Sequence, residues 1–148
     1  MDFTGTHLLL DLFGCTGLDD IAVVERTLRA SVTAAGATLL DLHAHGFGEG
    51  QGITAVAMLA ESHISIHTWP ERDYAAADIF LCGHRNDVAA AANALSKGFT
   101  ATKTDERWIQ RGYGAPDCAV SVSRVMTATA PPSDDTLDDR RSASKSKR

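Results

Sequence analysis

The chain is short of several things, and each shortage narrows its function. Its apolar runs are brief, and the opening Met1-Asp2-Phe3-Thr4-Gly5-Thr6 has neither a basic start nor a long hydrophobic stretch. Neither a transmembrane helix nor a secretory leader is therefore expected, and a cytoplasmic setting is the default. Cysteine is scarce: Cys15, Cys82 and Cys118 are odd in number and show no Cys-x-x-Cys spacing, which argues against a disulfide framework. Positive charge is not in surplus. The net charge of −5 gives no general attraction to nucleic acid or to an anionic membrane. No internal repeat is visible, and the glycine-rich stretch Gly46-Phe47-Gly48-Glu49-Gly50-Gln51-Gly52 lacks the Gly-Lys-Ser/Thr of a phosphate loop.

What is there reads as a single domain with a tail. His7 to Phe13 is apolar and compatible with a strand. Asp19 or Asp20 then offers a cap for a helix in which Ile21, Val24, Leu28 and Val32 recur at helical spacing until Gly36. Ala37 to His45, Ile53 to Ala60, Ile64 to Trp69 and Tyr74 to Leu81 read as four further strands. Asn86 or Asp87 can cap a second helix with Val88, Ala91, Ala92 and Leu95 inward, closed by Gly98; a short last strand is expected near Phe99 to Thr104. Trp108 and Tyr113 read as packing residues, Trp69 as core or interface, and His7 as a polar strand residue. Residues 1–129 form the expected domain. Residues 130–148 are nearly devoid of apolar side chains, too few to offset the entropy of ordering, and are expected to be a disordered polar tail.

This order, with hairpin-length connections, predicts an α+β fold: a two-layer sandwich of an antiparallel sheet with both helices on one face. The other face of the sheet needs a cover.

The densest chemistry lies in Glu61-Ser62-His63-Ile64-Ser65-Ile66-His67-Thr68-Trp69-Pro70-Glu71. His63 and His67 are four apart, as zinc ligands on a helix are, and His43, His45, Cys82 and His84 add candidates. The Ile64/Ile66 alternation and Pro70 oppose a helix here, so no metal is expected. No Gly-x-Ser-x-Gly elbow surrounds Ser62, which argues against a serine hydrolase.

Together with Tyr74-Ala-Ala-x-Asp78-x-Phe80 and Cys82-Gly83, this segment closely resembles the short bacterial and archaeal S-adenosylmethionine decarboxylase proenzymes, which make a pyruvoyl cofactor by cutting themselves. Gly5-x-His7-Leu8, Gly36-Ala37-Thr38 and Gly52-x-Thr54 fall where that family has similar residues, and the likeness runs from about Gly5 to about Gly114. The resemblance implies cleavage between Glu61 and Ser62 into a β chain, 1–61, and an α chain, 62–148, with Ser62 becoming the pyruvoyl group that takes the substrate amine. It implies His67 as the proton acceptor in processing, Thr54 as its hydroxyl support and Cys82 as the proton donor in catalysis. Glu71 falls where the family binds the ribose, and Phe47 is the candidate for stacking on adenine. Decarboxylation of an amino acid needs an electron sink. Lys97 and Lys103, the only lysines of the expected domain, lie outside the dense segment, so a pyridoxal mechanism has little support.

The implied partner is a second copy, in an αββα homodimer with shared sites. Ser62 and His67 lie five apart on one strand and point to opposite faces, which suits a site completed by that copy. The implied reaction is loss of carbon dioxide from S-adenosylmethionine, giving the aminopropyl donor for spermidine. A basic amino acid such as ornithine or arginine is the alternative substrate, because self-cleavage fixes the reaction type and not the substrate.

Overall fold

The computed structural model describes residues 3–82, 86–113 and 120–127. The tail expected from residue 130 onward, Cys118 and His84 lie outside them. The chain runs β1 (Phe3–Phe13), α1 (Ile21–Ala35), β2 (Thr38–Gly46), β3 (Ile53–Ala60), β4 (Ser62–Trp69), a 3-10 turn (Pro70–Arg72), β5 (Tyr74–Cys82), α2 (Val88–Gly98), β6 (Lys103–Tyr113) and β7 (Val120–Thr127). The strands form one sheet in the order β2-β3-β4-β5-β1-β6-β7, with every pairing antiparallel. The expected two-layer α+β fold is therefore the one observed.

Both helices begin where an aspartate satisfies the free amides of the first turn. Asp20 accepts from the amides of Ala22 and Val23 at 2.8 and 3.3 Å, and Asp87 from that of Ala90 at 2.8 Å; such a cap is worth about 1 kcal/mol. Gly36 ends α1 at φ 69°, a left-handed conformation in which a side chain would be strained. The helices pack on each other, with Ser31 Oγ donating to the Ala91 carbonyl at 3.0 Å.

Their shared inner face meets one side of the sheet. Leu8, Leu10 and Leu12 of β1, Ile53, Ala55 and Ala57 of β3, Ile64 and Ile66 of β4, and Ala75, Ala77 and Ile79 of β5 are buried against Val24, Leu28, Leu95 and Phe99. Strand side chains alternate. The other face consequently presents His7, Leu9 and Asp11 of β1, Thr54, Val56 and Met58 of β3, His63, Ser65, His67 and Trp69 of β4, and Asp78, Phe80 and Cys82 of β5. No layer of this chain covers that face among the described residues.

Two sequence expectations change. The last strand is not a short one at Phe99 to Thr104: Phe99 is a fully buried end of α2, and the strand runs from Lys103 to Tyr113 with β7 added beside it. Trp108 does pack against the core and donates Nε1–H to Glu106 at 3.1 Å, whereas Tyr113 is 85% exposed. For Trp69, read as core or interface, the structure leaves the second: it is 39% exposed on the open face, against Tyr74 and His67.

Candidate active site

The conspicuous segment is β4, the third strand of seven, hydrogen-bonded to β3 on one side and β5 on the other. Its isoleucines point to the helices and its histidines to the open face. His63 and His67 thus stand at opposite ends of one strand rather than on one helix turn, and the zinc-like spacing has no helical counterpart.

Two pairs of candidate side chains form within the chain. At one end of β4, His67 lies opposite Thr54 of β3, and Thr54 Oγ1 and His67 Nδ1 are 2.9 Å apart. At the other end, Ser62 follows the exposed turn residue Glu61, and its Oγ accepts a hydrogen bond from the amide of Cys82 at 3.2 Å. Cys82 is half-buried, and its carbonyl accepts from Asn86 Nδ2 at 3.1 Å. The pairs are five residues apart along the strand, roughly 16 Å at the usual rise. Ser62 and His67 of one chain do not meet.

The remaining predicted residues sit at the Thr54–His67 end. Phe47 extends past β2, 64% exposed, with its amide donating to the Gly52 carbonyl at 3.1 Å and its ring edge-on to His45 at 5.0 Å. Glu71 lies in the exposed 3-10 turn that ends β4. Thr68, buried on the helix side, fastens this corner. Its Oγ1 donates to the Leu18 carbonyl at 2.7 Å and accepts from the Ile53 amide at 2.8 Å. A Cβ on Gly52 would run into the Thr68 carbonyl oxygen, so the loop bearing Phe47 closes onto β4 only through glycine.

Sequence reasoning passed over a third group. His7 lies between Phe80 and Ile109 in register, its ring 5.5 Å from Phe80 and 6.4 Å from His63. Arg111 donates to His7 Nδ1 at 3.1 Å, which leaves the imidazole proton on Nε2, facing Asp78 Oδ1 at 3.4 Å. Asp78 Oδ2 in turn accepts from Ser65 Oγ at 3.4 Å. Asp78 falls between buried Ala77 and Ile79, and His7 directly before buried Leu8, so the open-face position of each was readable from a period of two, while their meeting with Arg111 comes from the sheet register.

The other thiol differs in kind. Cys15 is buried, and burial first, then the nearby Asp73 carboxylate, push its thiol up to about 11, so it carries no thiolate at neutral pH.

A family model described as S-adenosylmethionine decarboxylase matches residues 6–112. A proenzyme of that name from Thermomicrobium roseum is 38% identical over 112 residues, covering 76% of this chain and 97% of the relative. One from Methanococcus aeolicus is 45% identical over 114 residues, with the same two coverages. One from Synechococcus is 54% identical over 107 residues, covering 64% of this chain and 83% of the relative. The crystal structure of the adenosylmethionine decarboxylase from Aquifex aeolicus superposes with a TM-score of 0.67 at 29% identity, covering 79% of this chain and 96% of that one. A chain with this sheet, this strand and these relatives belongs to the S-adenosylmethionine decarboxylase family.

Proposed function

We propose that the chain is a self-processing proenzyme that decarboxylates S-adenosylmethionine at sites shared between two copies. The observation that carries this is the division of the candidate residues between the ends of β4. Ser62 and Cys82 stand at one end; Thr54, His67, Phe47 and Glu71 stand at the other. Two copies stacked by their open faces about a two-fold axis bring unlike ends together twice, making two equivalent sites. The same stacking covers Leu9, Val56, Met58, Trp69 and Phe80.

Processing follows from chemistry the chain already holds. The Cys82 amide orients the Ser62 hydroxyl at the exposed Glu61 turn. Ser62 Oγ attacks the carbonyl carbon of Glu61, the C–N bond breaks, and an ester replaces the amide. Removal of the α-proton of residue 62 expels the Glu61 carboxylate and leaves a dehydroalanine; water then releases ammonia and leaves a ketone at residue 62. His67 of the second copy takes the proton, its Nδ1 held by Thr54. A serine is needed because its β-oxygen must first attack and then depart with the acyl group.

The ketone so made supplies the electron sink that an α-amino acid lacks when it loses carbon dioxide. Around it, the Cys82 thiol returns a proton to the substrate α-carbon. Phe47 offers an exposed ring to the adenine, and Glu71 offers carboxylate oxygens to the ribose hydroxyls. Membership of this family favours S-adenosylmethionine over ornithine or arginine, as does the pairing of an aromatic with a carboxylate at one end of β4.

The intact mass of denatured, purified protein tests the reading. Two fragments, 1–61 and 62–148, with residue 62 carrying a ketone in place of the amine, are expected, and Ser62→Ala leaves one uncut chain. A single uncut mass from folded, unsubstituted protein overturns it. Carbon dioxide release assayed with S-adenosylmethionine, ornithine and arginine then separates the substrates.

A further inference from the structure

We propose that Arg111 receives the α-carboxylate of the substrate; this rests on placing the reaction at Ser62 and Cys82. In register, Cys82 faces Gly5 and Gly5 faces Arg111, so one row across the open face reads thiol, glycine, guanidinium. Glycine leaves the middle of that row empty, and the Phe80 ring fills the space: a Cβ on Gly5 would stand 2.8 Å from Phe80 Cε2. The guanidinium carbon of Arg111 lies 5.2 Å from the centre of the same ring, in cation–π range. Phe80 and Cys82 are two residues apart on one face of β5, roughly 7 Å. The positive charge therefore stands on the same face as the Cys82 thiol and in its row, with only Gly5 between them, beside the Phe80 ring.

The electrostatics of this spot call for an anion. Arg111 is exposed, gives one N–H to His7 Nδ1, and meets no carboxylate among the described residues. Four of its five N–H donors remain for something else. Through Nδ1, the imidazole of His7 holds the guanidinium on the open face. A second copy over that face would strip water from the charge, which is unfavourable unless an anion pairs with it. Every α-amino-acid substrate brings one, on the α-carbon itself, and a guanidinium fork matches a carboxylate with two parallel hydrogen bonds.

The pairing is made in the ground state and is lost as carbon dioxide forms, so it serves capture and orientation rather than the chemical step. Arg111→Gln is expected to self-process, to raise KM for S-adenosylmethionine about 10- to 100-fold, and to leave kcat unchanged or higher. The decarboxylated product, S-adenosylmethioninamine, has no carboxylate, and its inhibition constant is expected to stay within about twofold of the unsubstituted enzyme's. Arg111→Lys keeps the charge but loses the fork and is expected to fall between; it decides the matter if the glutamine variant does not fold. Equal weakening of substrate and product, an unchanged KM, or loss of the dimer on sedimentation would each overturn the assignment. Failure of unsubstituted protein to cut at Ser62 removes the site reading itself, and intact mass shows that separately.

Discussion

Thr54 and His67 face each other across β3 and β4, with Oγ1 and Nδ1 2.9 Å apart, while Ser62, on the strand that carries His67, hydrogen-bonds instead to Cys82. The base and nucleophile proposed here stand at opposite ends of one strand, so they cannot serve each other within one chain. The pair of contacts thus makes complementation the sharpest test of a shared site. Ser62→Ala and His67→Ala chains each lack one half and are expected to stay largely uncut alone. Unfolded together and refolded, they form mixed dimers with one complete site, in which only the His67→Ala chain is cut. Random mixing of a two-fold dimer gives about a quarter of all chains cleaved. Mass spectrometry reads which chain is cut, and no cleavage in folded mixed dimers argues for a site within one chain.

The hydroxyl of Thr54 has its own consequence. Held by Oγ1, the His67 ring keeps a fixed orientation. Thr54→Val retains the branched shape and loses the oxygen, and is expected to slow self-cleavage about 10- to 100-fold with little change in melting temperature, within the range of general-base effects. Thr54→Ser is expected to process at close to the starting rate. The time course of the two fragments on a denaturing gel measures both, and equal rates for the valine and serine variants would remove Thr54 from the mechanism.

Much of this was legible in the sequence because its physical signals were strong. His7 to Phe13 is an apolar, strand-compatible run, Asp20 and Asp87 stand where amides need acceptors, and Gly36 sits where a helix must turn left-handed. The dense strand between two apolar strands carried the candidate residues. What escaped was the far edge of the sheet. In β6 the positions that face the helices are Thr104, Glu106 and Trp108, two of them polar, so the segment shows no apolar alternation to read. Their burial comes from the register with Leu12, Leu10 and Leu8 of β1, which is a tertiary fact. His7 and Arg111 escaped for the same reason: they are 104 residues apart in sequence and meet only because β1 lies between β5 and β6.

Gly52 ties the loop bearing Phe47 to β4, and its replacement should separate stability from chemistry. A Cβ there meets the Thr68 carbonyl oxygen, a backbone atom that cannot step aside cheaply. Gly52→Ala is expected to cost about 1–3 kcal/mol by the usual scale of overpacking. Thermal unfolding of the uncut Ser62→Ala background, with and without the substitution, measures this free of processing. Gly50, with a left-handed φ of 65° and open space around it, has no such contact, and its alanine variant is expected to lose less.

The open face also holds a pH-sensitive contact remote from Ser62. Tyr74 donates a short hydrogen bond to Asp11, whose other oxygen accepts from Arg107 at 3.1 Å. Burial, then the hydrogen bond and negative charge of Asp11, push the Tyr74 phenol up from 10.0 to about 12, against a smaller opposing pull from Arg107. The folded chain thus keeps this proton over a range in which the unfolded chain releases it. Stability from the contact is complete below about pH 10 and is lost as pH rises toward 12, because there the unfolded state binds fewer protons. Comparing unsubstituted protein with Tyr74→Phe by denaturant unfolding isolates the effect. The difference in stability between them is expected to be flat from neutral pH to about 9 and to shrink from about 10 upward. A difference that stays constant through that range would mean that Asp11 does not hold the phenol proton, and that the Tyr74 ring matters only for its packing between Phe13 and Trp69.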